Sequence, residues 1–216
     1  MRLALADHVH GAVVDGDLVL LDVRDDVYFC LPAGAHDVTL NGRLLTVTPD
    51  ALGRALADAS LVKPEAGGDT ITEILAPPKR TARAVLDDDP ALKAASVKWR
   101  HVVALAQSAL RARRSEKQPF ATRLVKAGVP EPAVTRALLA DLAVFRRLSP
   151  WLPVDGACLF RSQMLRAYLC ALGHQASWRF GVRTWPFRAH CWLQLGDLAL
   201  DDEAERLASF HPILAV

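Results

Sequence analysis

Cys158-Leu-Phe-Arg-Ser-Gln-Met-Leu-Arg-Ala-Tyr-Leu-Cys-Ala-Leu172 is a long apolar run opened by a thiol. It is followed by Ala189-His-Cys-Trp-Leu-Gln-Leu195 and, after Gly196-Asp197, by Leu198-Ala-Leu-Asp-Asp202. In the first stretch Cys158, Ser162, Leu165, Leu169 and Leu172 recur at spacings of four and three, which predicts a helix buried on the face that carries the thiol. Asp155-Gly156-Ala157 precedes it, so Cys158 falls in the first turn. There, unsatisfied N–H groups and the positive end of the dipole favour thiolate over thiol. Most free cysteines in such helices are inert small hydrophobes. A downstream histidine on a strand makes this one a candidate nucleophile.

Strand alternation puts His190, Trp192 and Gln194 on one face and Cys191, Leu193 and Leu195 on the other, so Cys191 is expected to point into the core. Cys170, within the helix, and Cys30 read as packing. The acid stays open on the residues alone. A two-residue Gly196-Asp197 turn puts Asp201 and Glu203 on the His190 face, whereas a bulge or a longer loop puts Asp202 there.

Helix-borne Cys, strand-borne His and an acid after the next strand is an order that resembles a transglutaminase-like cysteine hydrolase. From Cys158 to about Val216 the chain resembles more specifically the lasso-peptide B protein, the leader peptidase of lasso-peptide biosynthesis. The fragments are Cys158-Leu-Phe-Arg-Ser162, Phe180-Gly-Val-Arg183, Pro186-Phe-Arg-Ala-His-Cys-Trp192 and Leu200-Asp-Asp202. The resemblance implies Cys158, His190 and Asp202 as the catalytic residues. Asp201 departs from it, standing where the family commonly has Asn, and Cys191 replaces a usual Ala. The resemblance further implies a lasso precursor as substrate and a separate ATP-dependent macrolactam synthetase as partner. ATP stimulation accompanies some members; this sequence has no phosphate-cradling glycine loop, and ATP dependence stays open here.

The 216 residues, 51% of them hydrophobic, are enough for one large or two small packed domains. No apolar stretch reaches the roughly 18–20 residues that span a bilayer, and Met1-Arg-Leu-Ala-Leu-Ala-Asp-His8 lacks the apolar core of a signal peptide. The cytoplasm is the expected location. Four irregularly spaced cysteines suggest neither a disulfide framework nor structural zinc. A metal held by Cys158, His190 and Asp202 has no local ligand spacing to support it. Residues 1–66 carry five Lys+Arg against ten Asp+Glu, net −5, leaving +7 for residues 67–216 of a total of +2. The acidic part cannot offer nucleic-acid phosphates a basic face.

His8–Val14, Leu18–Val23 and Val27–Leu31 read as a β-meander with turns at Asp15-Gly16-Asp17 and Arg24-Asp25-Asp26. Thr48-Pro49-Asp50 predicts a capped helix start running to about Ala59. Residues 1–66 resemble a PqqD-like recognition element, a small winged-helix-like module. By that resemblance a leader peptide adds as a strand beside Val27, Tyr28, Phe29 and Leu31. Pro64, Gly67-Gly68, Pro77-Pro78 and Asp87-Asp-Asp-Pro90 mark a linker over 67–90. From Ala91 a helix to about Arg114 is predicted, with Ala95, Trp99, Val102, Ala106 and Leu110 facing inward. A second follows Pro130-Glu131-Pro132 and ends at Leu148.

The fold class expected is α+β: a leader-binding module, then a transglutaminase- or papain-like cysteine protease domain over 91–216. Arg161, Arg183 and Arg188 are candidates for substrate contact. Two other functions fit the residues: a Cys-dependent acyl transferase on the same core, and a non-catalytic peptide-binding chaperone.

Overall fold

The computed structural model describes residues 1–34, 37–65, 75–124, 133–152 and 157–216. The chain divides into two compact units. One comprises Met1–Leu75 with Gly181–Ala189 and His211–Leu214; the other comprises Ala76–Phe180 with His190–Phe210 and Ala215–Val216.

The first unit is β-rich. Its elements are β1 (Arg2–Leu5), β2 (Val9–Val14), β3 (Asp17–Asp22), β4 (Val27–Leu31), β5 (Asp37–Asn41), β6 (Leu44–Thr48), α1 (Asp50–Asp58) and β7 (Val62–Pro64). They form one sheet in the order β5-β6-β1-β7 and another in the order β2-β3-β4. The second of these is the meander expected from the sequence. Asp15 and Gly16 both take positive φ, 51° and 89°, between the paired residues Val14 and Asp17. This is the primed turn whose twist suits a hairpin, and Asp-Gly is a pair that tolerates it. Leu3, Leu5, Val9, Leu18, Leu20, Leu45, Val47 and Leu56 form the core. Each fully buried Leu contributes roughly 2 kcal/mol relative to exposure.

Strands β5 and β6 occupy the stretch that leads to Thr48. Helix α1 starts at Asp50 as expected, but Pro49 is its N-cap and no side chain caps it, so Thr48 does not have the role its type suggested. Gly53 lets α1 lie close to the sheet, because a Cβ there would meet Met1 Sδ at 2.7 Å and Val47 Cγ2 at 3.0 Å. Among the described residues of this unit β4 pairs only with β3. Its Val27 and Phe29 are solvent-exposed, while Tyr28 meets the Phe187 ring at 5.6 Å and the Trp185 indole donates to Asp17 at 2.7 Å.

The elements that follow are β8 (Arg80–Thr81), α2 (Ala82–Asp87), α3 (Pro90–Lys93), α4 (Trp99–Ser115), α5 (Phe120–Arg123), α6 (Arg136–Leu148), α7 (Cys158–Ala171), β9 (Ser177–Arg183), β10 (Arg188–Leu195), β11 (Leu198–Ala199), α8 (Ala204–Leu207) and β12 (His211–Ala215). The strands run in the order β12-β9-β10-β11-β8. Residues expected to belong to a linker thus form β8 and α2. β8 lies parallel to β11, and Arg80 clamps the β10–β11 turn through two bonds to Asp197 at 2.9 and 2.8 Å. Gly67-Gly68, Pro130-Glu131-Pro132 and Asp155-Gly156 lie outside the described residues.

Helices α4 and α7 pack side by side, with α6 against both. The inward stripe predicted for α4 faces the other way: Trp99 is 77% exposed and Leu110 54%. The buried face is His101, Ala104, Leu105, Ser108 and Ala112. Small residues at 104, 108 and 112 let α7 approach closely, and His101 goes inward because Asp141 on α6 receives it. That buried carboxylate meets His101 Nε2 at 3.0 Å, His174 Nε2 at 2.8 Å and Arg100 at 2.6 Å, joining α4, α6 and the segment after α7. Tyr168 on α7 adds a bond to the Asp141 carbonyl oxygen at 3.1 Å.

Candidate active site

Cys158 is the first residue of α7, with Ala157 as N-cap. Ser162, one turn on, is fully buried and donates to the Cys158 carbonyl oxygen at 2.8 Å, an i to i−4 bond that fixes the first turn. Ser162 also accepts the indole N–H of Trp178 from β9 at 2.9 Å, tying the helix start to the sheet. His190 on β10 bonds Asp202 through Nε2 at 2.5 Å and the Cys158 sulfur through its side chain. Because Nε2 is committed to Asp202, Nδ1 is the nitrogen left for sulfur. The imidazole lies against Trp192 and Phe210, with ring centroids at 6.3 and 5.3 Å.

These contacts set the charges. Cys158 is brought down to about 4, chiefly by hydrogen bonds from Cys191 and His190, which outweigh the cost of partial burial. For His190, burial alone would favour the neutral ring. Its bonds to Asp202 and to Cys158 prevail, and it is raised to about 9. Burial likewise opposes ionisation of Asp202, yet the His190 bond and the Glu203 amide at 2.8 Å keep its pKa low. At neutral pH the arrangement is thiolate, imidazolium and carboxylate. A thiolate beside an imidazolium is a nucleophile next to its proton donor.

The β10–β11 hairpin shows how Asp202 gets there. Leu195 pairs with Leu198 and Gln194 with Ala199, so Gly196-Asp197 is a two-residue turn, with Gly196 at φ 55°. Strict continuation of that register would aim Asp201 at His190. The pairing ends at the bond from the Leu200 amide to the Leu193 carbonyl, and the chain then bends. Asp201 turns inward instead, accepts the Leu193 amide at 2.8 Å, and burial raises its carboxyl to about 7.

Cys191 is buried, as alternation predicts, but the same burial brings it to Cys158. Its sulfur lies 3.3 Å from Ser162 Oγ, and the residue lines the same cavity as Cys158. Sequence reasoning took the core side of β10 and the catalytic side as opposites. Helix α7 packs on that core side through Ser162 with its first residue at the rim, so both neighbours on β10 line the cavity that holds Cys158. Cys158, His190, Cys191, Asp201 and Asp202 line a cavity of about 510 Å³ with Thr81, Glu203 and four arginines, Arg83, Arg146, Arg161 and Arg206. Arg83 pairs with Glu203 at 3.2 Å and Arg206 with Asp202 at 3.4 Å. Of the three arginines singled out in the sequence, Arg161 lines this cavity. Ser162 and Trp178 were the less visible members; the four-residue spacing from Cys158 was the signal for the first. Among the described residues no cluster suited to a metal ion occurs.

A family model described as Transglutaminase-like superfamily matches residues 79–215. The chain belongs to the transglutaminase-like superfamily. No curated protein and no solved structure matches it. The superfamily points to cysteine-dependent hydrolase or acyl-transfer chemistry. No helix among the described residues is long and apolar enough to cross a membrane.

Proposed function

We propose that this protein is a cytoplasmic maturation protease that binds the leader of a lasso precursor peptide and cuts it from the core peptide, with Cys158, His190 and Asp202 as its catalytic residues. The observation that carries the chemistry is the thiol at the start of α7 sharing a hydrogen bond with a histidine whose other nitrogen is held by a carboxylate. The Cys158 sulfur attacks the carbonyl at the leader–core junction, and the carbonyl electrons move onto oxygen beside the free amides of the first turn of α7. As the C–N bond breaks, His190 delivers its proton to the departing core amine, and the leader stays on sulfur as a thioester. His190, now neutral, takes a proton from water, whose oxygen attacks the thioester and expels the thiolate. Asp202 holds the imidazole in place and stabilises its charge throughout.

The pathway assignment is supported by the four ordered fragments around these residues. Leader capture is assigned to residues 1–66, and the protease chemistry to the part that the family model matches, residues 79–215. Strand β4 suits it, since within its own sheet it has one paired neighbour and exposes Val27 and Phe29; a peptide adding there would lie along Val27, Tyr28, Phe29 and Leu31. The macrolactam synthetase is the proposed consumer of the freed core.

A purified chain incubated with a lasso-type precursor should release leader and core by hydrolysis, and Cys158→Ala should release neither while still binding the leader. Full cleavage by Cys158→Ala would overturn the mechanism. A product in which the leader is joined to an added amine would move the assignment to acyl transfer.

A further inference from the structure

The cavity that holds Cys158 carries positive charge that its own acids do not match. Of its four arginines, Arg83 is paired with Glu203 and Arg206 with Asp202, which also holds His190. Among the described residues Arg146 on α6 and Arg161 on α7 have no carboxylate partner. The acids whose fields reach Arg146 are Asp87, Glu203 and Asp201. Each is engaged elsewhere: Asp87 with Lys93 at 3.1 Å, Glu203 with Arg83, and Asp201 with the Leu193 amide at 2.8 Å. Arg146, Arg161 and Asp201 also line a second cavity of about 490 Å³, whose remaining described walls, Leu142, Phe145, Met164 and Leu165 among them, are uncharged. The two guanidinia thus stand where the cavities share a wall, and no charge from the second cavity balances them.

Arg161 lies one turn along α7 from Cys158, and side chains three apart on a helix are about 5–6 Å from each other at Cβ. An extended peptide advances about 3.3 Å per residue, so a group held by Arg161 is about one or two residues from the bond that Cys158 attacks. A guanidinium presents a planar fork that a carboxylate meets with two parallel N–H···O bonds, and such charge-assisted bonds are about twice as strong as neutral ones. We propose that Arg146 and Arg161 determine specificity: they receive an Asp or Glu side chain of the peptide substrate, within about two residues of the bond that is cut. A Lys or Arg at the same place in the peptide is repelled by the same pair. This role rests on Cys158 being the nucleophile, and not on which precursor is processed.

Protection of Cys158 from iodoacetamide in the purified full-length protein tests this, read on the Cys158 peptide by mass spectrometry so that exposed Cys30 and Cys170 do not interfere. The probes are two end-blocked alanine pentapeptides, one with a central Glu and one with a central Gln. The Glu peptide should protect at about tenfold lower concentration than the Gln peptide. In Arg146→Gln or Arg161→Gln that advantage should fall to about threefold, and in the double variant it should vanish. Equal protection by the two peptides, or none, would overturn the proposal. A Gln peptide with a free C-terminal carboxylate that protects better than the blocked Glu peptide would put a chain end at the site and overturn the side-chain assignment. The pH midpoint of iodoacetamide labelling reports the thiolate itself. A Glu advantage that persists in the double variant while this midpoint rises would mean that the arginines serve the thiolate, and would overturn the proposal. Should Arg146→Gln fail to fold, Arg161→Gln decides alone. A wild-type midpoint in the ordinary thiol range would overturn the nucleophile and this role together, whereas a low midpoint with no preference for the Glu peptide overturns this role only.

Discussion

Two Asp–His constellations lie in the second unit, and they do opposite things. Asp202 and His190 line a cavity with a thiol, whereas Asp141 meets His101, His174 and Arg100 between helices, and the cavity that it lines with His101 contains no cysteine. By residue type the second is the richer cluster. Among the described residues it has no thiol beside it, and its carboxylate uses its oxygens to hold α4, α6 and the segment after α7 together. A histidine paired with an acid becomes reactive only when the other ring nitrogen faces a group that can attack, next to space for a substrate. Where the other ring nitrogen is taken by the backbone, as His101 Nδ1 is by the Lys98 amide at 2.9 Å, the same pair is a structural fastening.

The largest effect that separates the two should come from Asp202→Asn. The amide cannot stabilise imidazolium, so His190 should fall from about 9 toward its ordinary value. For the wild type, activity should be bell-shaped: lost below about 4 as Cys158 takes up a proton, and lost above about 9 as His190 gives one up. In Asp202→Asn the alkaline limb should move to lower pH, with turnover down by about a hundredfold. That is milder than the roughly 10⁴-fold of a serine triad, because a preformed thiolate needs less help. An alkaline limb that stays put would mean Asp202 does not set the state of His190.

Asp141→Ala should show the reverse pattern. Removing the carboxylate leaves the buried His101 without its partner and takes the anchor from half-exposed Arg100, at a cost of about 3 kcal/mol in urea unfolding. Cys158 labelling kinetics under folding conditions should be unchanged. A stability loss below about 1 kcal/mol, or an altered Cys158 midpoint, would dissolve the contrast between the two clusters.

Asp201→Asn is the fine adjustment. Its carboxyl is raised to about 7, so it is already partly neutral near physiological pH, and the amide oxygen of Asn can accept the Leu193 N–H. Turnover should change by about twofold at most. A defect larger than that of Asp202→Asn in the same assay would exchange the roles of the two acids.

The neighbourhood of Cys158 and His190 was more legible than its surroundings because it is built from local patterns. The helix opened by Cys158, the His190 strand and the Gly196-Asp197 turn each follow from periodicity and turn chemistry within a few residues. The β2–β3–β4 meander followed from the same kind of signal. Helix α4 misled, since an apolar stripe says which residues prefer burial and not which face a neighbour covers. Trp99 and Leu110 lost that competition to Ala104, Ser108 and Ala112, which allow close approach, and to His101, which has a buried partner forty residues away.

The sequence by itself determined the thiol at a helix start, the histidine two elements later and the pair of adjacent acids. Tertiary structure alone decided which acid meets the imidazole and that a second thiol lines the same cavity as the first. Register parity governs side chains only while the ladder continues. Beyond Leu200 the bend of the chain, and the seating of α7 against the core side of β10, are set by packing among residues far apart in sequence.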